Sequence, residues 1–176
     1  MVMSVELEFQ PDPREASAAS ASDSAALFEE TLLVVPVRFR VDGHDVLPLR
    51  SSLTSIWSVD PRGTATRDEP VVLENWTREP LLGFLCGLRQ AIEVAERSGH
   101  SRCYLIEDRD LIFTLRDWSQ LAVTSPSGTT TAVALVHEFT DAVGRFEQNV
   151  HDWLMGQAPH LVRHPSWAEW FPPPEP

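Results

Sequence analysis

The chain has 176 residues, enough for one hydrophobic core and short for two. Its net charge of −12 comes from 26 acidic and 14 basic residues, and every basic residue is arginine. An acidic surface repels phosphate backbones, which argues against a nucleic-acid partner, and a chain without lysine has no Schiff-base or phosphate-loop lysine.

Hydrophobic residues make up 43% of the chain, but no apolar run reaches the roughly 18 residues of a membrane span, and no basic start leads into an apolar stretch. The expected setting is the cytoplasm of a bacterium with a GC-rich genome, with no membrane partner. Cys86 and Cys103 form no CxxC pair and sit among apolar residues, so they read as buried, inert thiols.

Val5, Leu7 and Phe9 alternate with Ser4, Glu6 and Glu8, the period of a half-buried strand. Residues 12–26, rich in Ala, Ser and acids, read as a mobile loop. Thr31–Val41 and His44–Leu49 flank Asp42-Gly43, whose two residues tolerate positive φ and predict a hairpin. Ile56, Trp57 and Val59 suggest a short strand, and Asp60-Pro61-Arg62-Gly63 a turn.

Leu81, Phe84, Leu85, Leu88, Ala91, Ile92 and Ala95 recur at helical spacing and predict a helix over about 80–98. Thr77 is the expected cap, Glu79 a first-turn acid and Gly99 the terminating glycine. Three short strands follow: Cys103–Ile106, Leu111–Leu115 and, after Asp117-Trp118-Ser119, Gln120–Thr124. Glu107, Asp108, Arg109 and Asp110 form the loop between the first two. A second helix over about 133–155 rests on Val136, Phe139, Val143, Phe146, Val150 and Trp153, spaced alternately by three and four. Runs of strands with few helices predict an α+β fold, a mostly antiparallel sheet (hairpin plus meander) covered by the two helices. Residues 1–158 form the single domain, and 159–176 an aromatic, Pro-rich tail.

No motif in the chain names a reaction. His137-Glu138 with Asp141 falls short of a zinc-protease motif, which needs a second histidine one turn on. His160 and His164 have ligand spacing but sit between Pro159 and Pro165 and read as exposed tail histidines. No nucleophile elbow or Gly-rich phosphate loop is present, so no catalytic residue, metal or cofactor is assigned. The candidate partner-binding residues are the turn acids Asp42, Asp45, Glu107, Asp108 and Asp110, and the tail aromatics Trp167, Trp170 and Phe171. Tryptophan concentrates at binding hot spots; the alternative, which is favoured, is that Trp167 and Trp170 staple the tail to the domain.

The order of elements across Thr31–Leu154 resembles the small acidic α+β immunity proteins of bacterial toxin systems, in which a hairpin-rich sheet is backed by two helices. The resemblance implies a protein that neutralises another by binding it, and it transfers no residue role. The expectation is therefore a cytoplasmic protein-binding module with a basic protein partner, not an enzyme. The alternatives are a small enzyme or small-molecule binder with a pocket between sheet and helices, and an accessory subunit dimerising through its sheet edge.

Overall fold

The computed structural model describes residues 4–47, 76–106 and 109–173, and between them the backbone of four short strands. In chain order the first elements are β1 (Val5–Phe9), α1 (Pro13–Ala18), α2 (Ala25–Glu30), β2 (Val34–Val41) and β3 (His44–Asp45). Short strands β4 (Ser52–Thr54), β5 (Trp57–Val59), β6 (Ala65–Arg67) and β7 (Val71–Leu73) follow, then β8 (Thr77–Pro80) and α3 (Leu81–Ser98). A meander of β9 (His100–Leu105), β10 (Arg109–Leu115), β11 (Gln120–Thr124) and β12 (Thr131–Leu135) leads into α4 (Val136–Gln157). A 3-10 turn (Pro159–Arg163) and the one-turn α5 (Trp167–Trp170) close the chain.

The architecture is α+β and antiparallel, with the strands divided between separate sheets. In the first sheet β2 is central: β1 pairs along one side, and β3 and β8 share the other. Asp42 (φ 50°) and Gly43 (φ 77°) turn the β2–β3 hairpin in the left-handed region, as the Asp-Gly pair predicts. The second sheet is the meander β12-β11-β10-β9, with β9 at one edge. Two further hairpin-like pairs, β4 with β7 and β5 with β6, stand apart from both.

The helical periodicity translates directly into packing. All seven apolar positions predicted for the first helix are buried on α3, and Gly99 ends it at φ 81°, donating to Ala95 O at 2.8 Å. On α4 the residues Phe139, Val143, Phe146 and Val150 are buried, as their spacing requires. Phe146 meets Phe9 of β1 and Phe84 of α3 edge-on at 5.8 and 6.1 Å, so one ring joins a strand and both long helices.

Four readings change. Residues 131–135 are a strand, and α4 starts at Val136: Ala132 and Ala134 are buried at every second position, and Glu138 marks the helix start by accepting the Leu135 N–H at 3.0 Å. Thr77 and Glu79 lie in β8 and do not cap α3, whose first residue follows Pro80 without a side-chain cap.

Residues 12–26 are not a mobile loop. Asp12 caps α1 by accepting the Arg14 N–H, Pro13 opens it, and Ser24 caps α2. Ala16, Ala19 and Phe28 are buried, because alanine lets a short helix lie close against its neighbours.

The tail closes over this region, so its histidines are not free. His160 Nε2 bonds Ala19 O at 2.8 Å and His164 Nε2 bonds Asp23 O at 2.6 Å. His164, which is buried, stacks on Trp170 at 4.4 Å, and Phe28 packs against both rings. Arg89 of α3 completes the staple by donating to the Glu169 and Trp170 carbonyls at 2.7 and 3.2 Å and to Glu147 at 2.9 Å.

Two substitutions test this packing. Phe146→Ala is expected to lose about 3–5 kcal/mol in urea unfolding, through lost transfer energy and the cavity left behind. Trp170→Ala should lose a comparable ~3–5 kcal/mol, and limited proteolysis should then cut first within 159–173 and near residues 19–24.

Candidate functional site

The acids and aromatics singled out by sequence scatter over the surface and the core. Asp42 is exposed on its turn. Asp45 is held by a two-pronged contact from Arg38, at 2.8 and 3.2 Å, and this hydrogen bond holds the Arg38 guanidinium above its ordinary range. Asp110 is a β10 residue and not a loop tip, and its carboxylate faces Arg102 at 3.3 Å. Glu107 and Asp108 lie outside the described residues. Trp170 and Phe171 are buried, and the partly buried Trp167 packs with Phe171 and His151 at 4.6 and 5.7 Å, so Trp170 and Phe171 serve the staple.

His44 and His137 are exposed, and neither lines the principal cleft. Among the described residues no three His, Cys, Asp or Glu side chains converge in metal-binding geometry.

The structure instead brings together residues that carry no sequence signature. A cleft of about 880 Å³ runs between α2, α3 and the β9 edge. Its α3 wall is the stripe Gly83, Gly87 and Ala91, one helical turn apart. Close approach requires glycine at 83 and makes a tight fit for anything larger at 87. A β-carbon on Gly83 would come within 2.5 Å of Glu29 O, and one on Gly87 within 3.1 Å of Cys103 Sγ. Across from α3 the cleft is lined by β9, with Ser101 buried toward the helix and Arg102 and Tyr104 exposed, and the exposed Glu29 and Glu30 form the rim.

The floor is rigid. Ser101 Oγ donates to the Ala91 carbonyl, binding β9 to α3. At the far end Glu79, with 1% of its side chain exposed, accepts the Ile106 N–H at 2.8 Å and faces Arg109 at 3.4 Å. A carboxylate this deep is tolerable only with such partners. It also ties β8 of the first sheet to the end of β9 in the second.

Cys86 lines the cleft, and Cys103 is buried behind Gly87. Burial, more than any neighbouring charge, pushes Cys103 up to about 12 and raises Cys86 in the same direction. Neither is the lowered, reactive type of thiol that nucleophilic chemistry uses. A different outlier is Trp118, wholly exposed on the β10–β11 turn. Asp117 fixes that turn by accepting the Ser119 and Gln120 N–H groups at 2.9 and 2.8 Å, which lower its carboxyl below the usual range.

With this geometry in hand, comparison with family models, curated proteins and solved structures gives no match to the chain. No helix among the described residues is long and apolar enough to cross a membrane.

Cys103 offers a direct check on the cleft floor. Its raised thiol favours the protonated, folded form, so the stabilisation is whole below the unfolded thiol's titration and is lost as pH rises toward about 12. At pH 8 the folded protein should leave Cys103 unlabelled by a thiol-reactive disulfide, whereas urea-unfolded protein labels at both cysteines. Rapid labelling of native Cys103 would show that α3 does not seal β9.

Proposed function

We propose that this chain is a cytoplasmic protein-binding module that takes a basic partner at the cleft beside β9, in the manner of the immunity proteins whose order of elements it resembles. One observation carries the reading: the cleft of about 880 Å³ beside β9 is lined on α3 by small and apolar residues, among them Gly87, Ala91, Phe84 and Val94, and is rimmed by exposed Glu29 and Glu30. Such a surface has shape and negative potential but lacks a reactive thiol and a convergent metal-ligand set among the described residues. These are properties of recognition. The net charge of −12 extends the same field over the molecule and would speed encounter with a cationic surface.

Glu93 and Glu169 continue the acidic rim past Cys86 and Gln90 toward the stapled tail. Arg102, the cation on the cleft lining, is paired with Asp110 at 3.3 Å, and Arg89 beyond it is engaged by Glu147 and two carbonyls.

A displayed library of random peptides tests the proposal. The expected binders are rich in Arg and Lys and weaken as salt rises. The double variant Glu29→Arg, Glu30→Arg should slow their association about tenfold and flatten its salt dependence, while leaving the unfolding midpoint in place. A library that yields no binder, or binders indifferent to salt and to the charge reversal, would overturn the reading.

A further inference from the structure

The backbone of β9 specifies how such a partner would be held. The Leu115 N–H donates to Gly99 O at 2.9 Å, which makes 99 and 115 a hydrogen-bonded pair. The register continues from His100 opposite Thr114 to Leu105 opposite Arg109. Antiparallel pairs alternate between bonded and non-bonded. Ser101, Cys103 and Leu105 therefore spend their backbone groups on β10, while His100, Arg102 and Tyr104 turn theirs to the open edge.

Two side-chain contacts confirm this parity. The His100 carbonyl accepts from Ser98 Oγ at 2.9 Å, and the Ile106 N–H donates to Glu79 at 2.8 Å. Both ends of the edge are thus closed by the protein's own side chains. Between them, the outward N–H and C=O groups of Arg102 and Tyr104 line the 880 Å³ cleft. An exposed edge is normally blunted by charge, proline or a covering element. Between these ends, among the described residues, the Tyr104 carbonyl is met only by a long contact from Cys103 Sγ at 3.9 Å.

We infer that the cleft takes an extended basic segment of another protein, which adds to the second sheet as a strand alongside β9 and bonds the outward backbone groups of Arg102 and Tyr104. This inference rests on the binding-module reading and names its mode. A strand seated about 4.8 Å from β9 would turn alternate side chains toward α3 and away from it. Positions facing α3 take apolar side chains. Those at the rim carry Arg or Lys toward Glu29 and Glu30. A second copy of this chain fits poorly as the occupant, because it would bring net charge −12 and the same acidic rim against its like.

The test uses a basic peptide selected on the full-length protein, resynthesised with alternate backbone nitrogens methylated in each of the two registers. Strand addition predicts that one register weakens binding about tenfold through lost hydrogen bonds and that the other is tolerated. On the protein side, Tyr104→Pro removes an outward N–H without touching a bond to β10. It should weaken binding about tenfold, and Tyr104→Ala, which keeps the N–H, should weaken it clearly less. If Tyr104→Pro fails to fold, the methylated peptides and the amide shifts of Arg102 and Tyr104 on titration decide the matter. Binding that is equally sensitive or insensitive to both methylation registers overturns strand addition and leaves the binding-module reading standing. Absence of any selected peptide overturns both. Sedimentation showing a dimer abolished by Tyr104→Pro would assign the edge to a second copy and overturn the proposed occupant.

Discussion

The buried Glu79 carboxylate is the constraint on which the rest of the arrangement turns. It stands on β8, the last strand of the first sheet, and accepts the Ile106 N–H just past the end of β9. A charge so deep must be met by donors, and both described donors, Ile106 and Arg109, belong to the second sheet. The two sheets are therefore docked by a polar contact at one corner, while Phe146 and its ring partners fill the space between strand and helices. Because β8 runs straight into α3, the same contact sets where that helix starts and how it lies over β9.

The cleft follows from that docking. With α3 held against β9, its turns must pass close to α2 and to Cys103, which requires glycine at 83 and makes a tight fit for anything larger at 87. The cleft lies between α3, α2 and the edge of β9, and α2 supplies the acidic rim. Even the thiol chemistry is a consequence: Cys103 lies under Gly87, where water cannot solvate a thiolate.

The tail plays a second structural part. Phe28, His164 and Trp170 make a buried aromatic core that belongs equally to α2 and to the C-terminal segment, and Arg89 bonds the carbonyls that end α5. The tail therefore backs α2, the helix that presents Glu29 and Glu30. Aromatic residues crowded near a chain end suit an interface or a staple equally well by composition. Burial of Trp170 decides for the staple.

Periodicity alone determined the α+β class, the two long helices, the Asp-Gly hairpin and most of the meander. Each depends on residues a few positions apart, and burial of one face enforces the pattern. Composition likewise determined the acidity and the absence of lysine chemistry. Tertiary structure decided everything that depends on distant partners. Residues 12–26 are helical because Ala16, Ala19 and Phe28 find a surface to pack on. Thr131–Leu135 is a strand because β11 is beside it, although its apolar residues continue the helical stripe without a break. Glu79 is a buried link and not a helix cap, and the exposed His160 and the buried His164 both clamp the tail, because their partners lie 27 and 141 residues away. The cleft was illegible for the same reason. It lies between α3, α2 and the edge of β9, and their meeting leaves no motif in an amino-acid string. Gly83 and Gly87, spaced one turn apart in the apolar first half of the helix, were the one local trace of it.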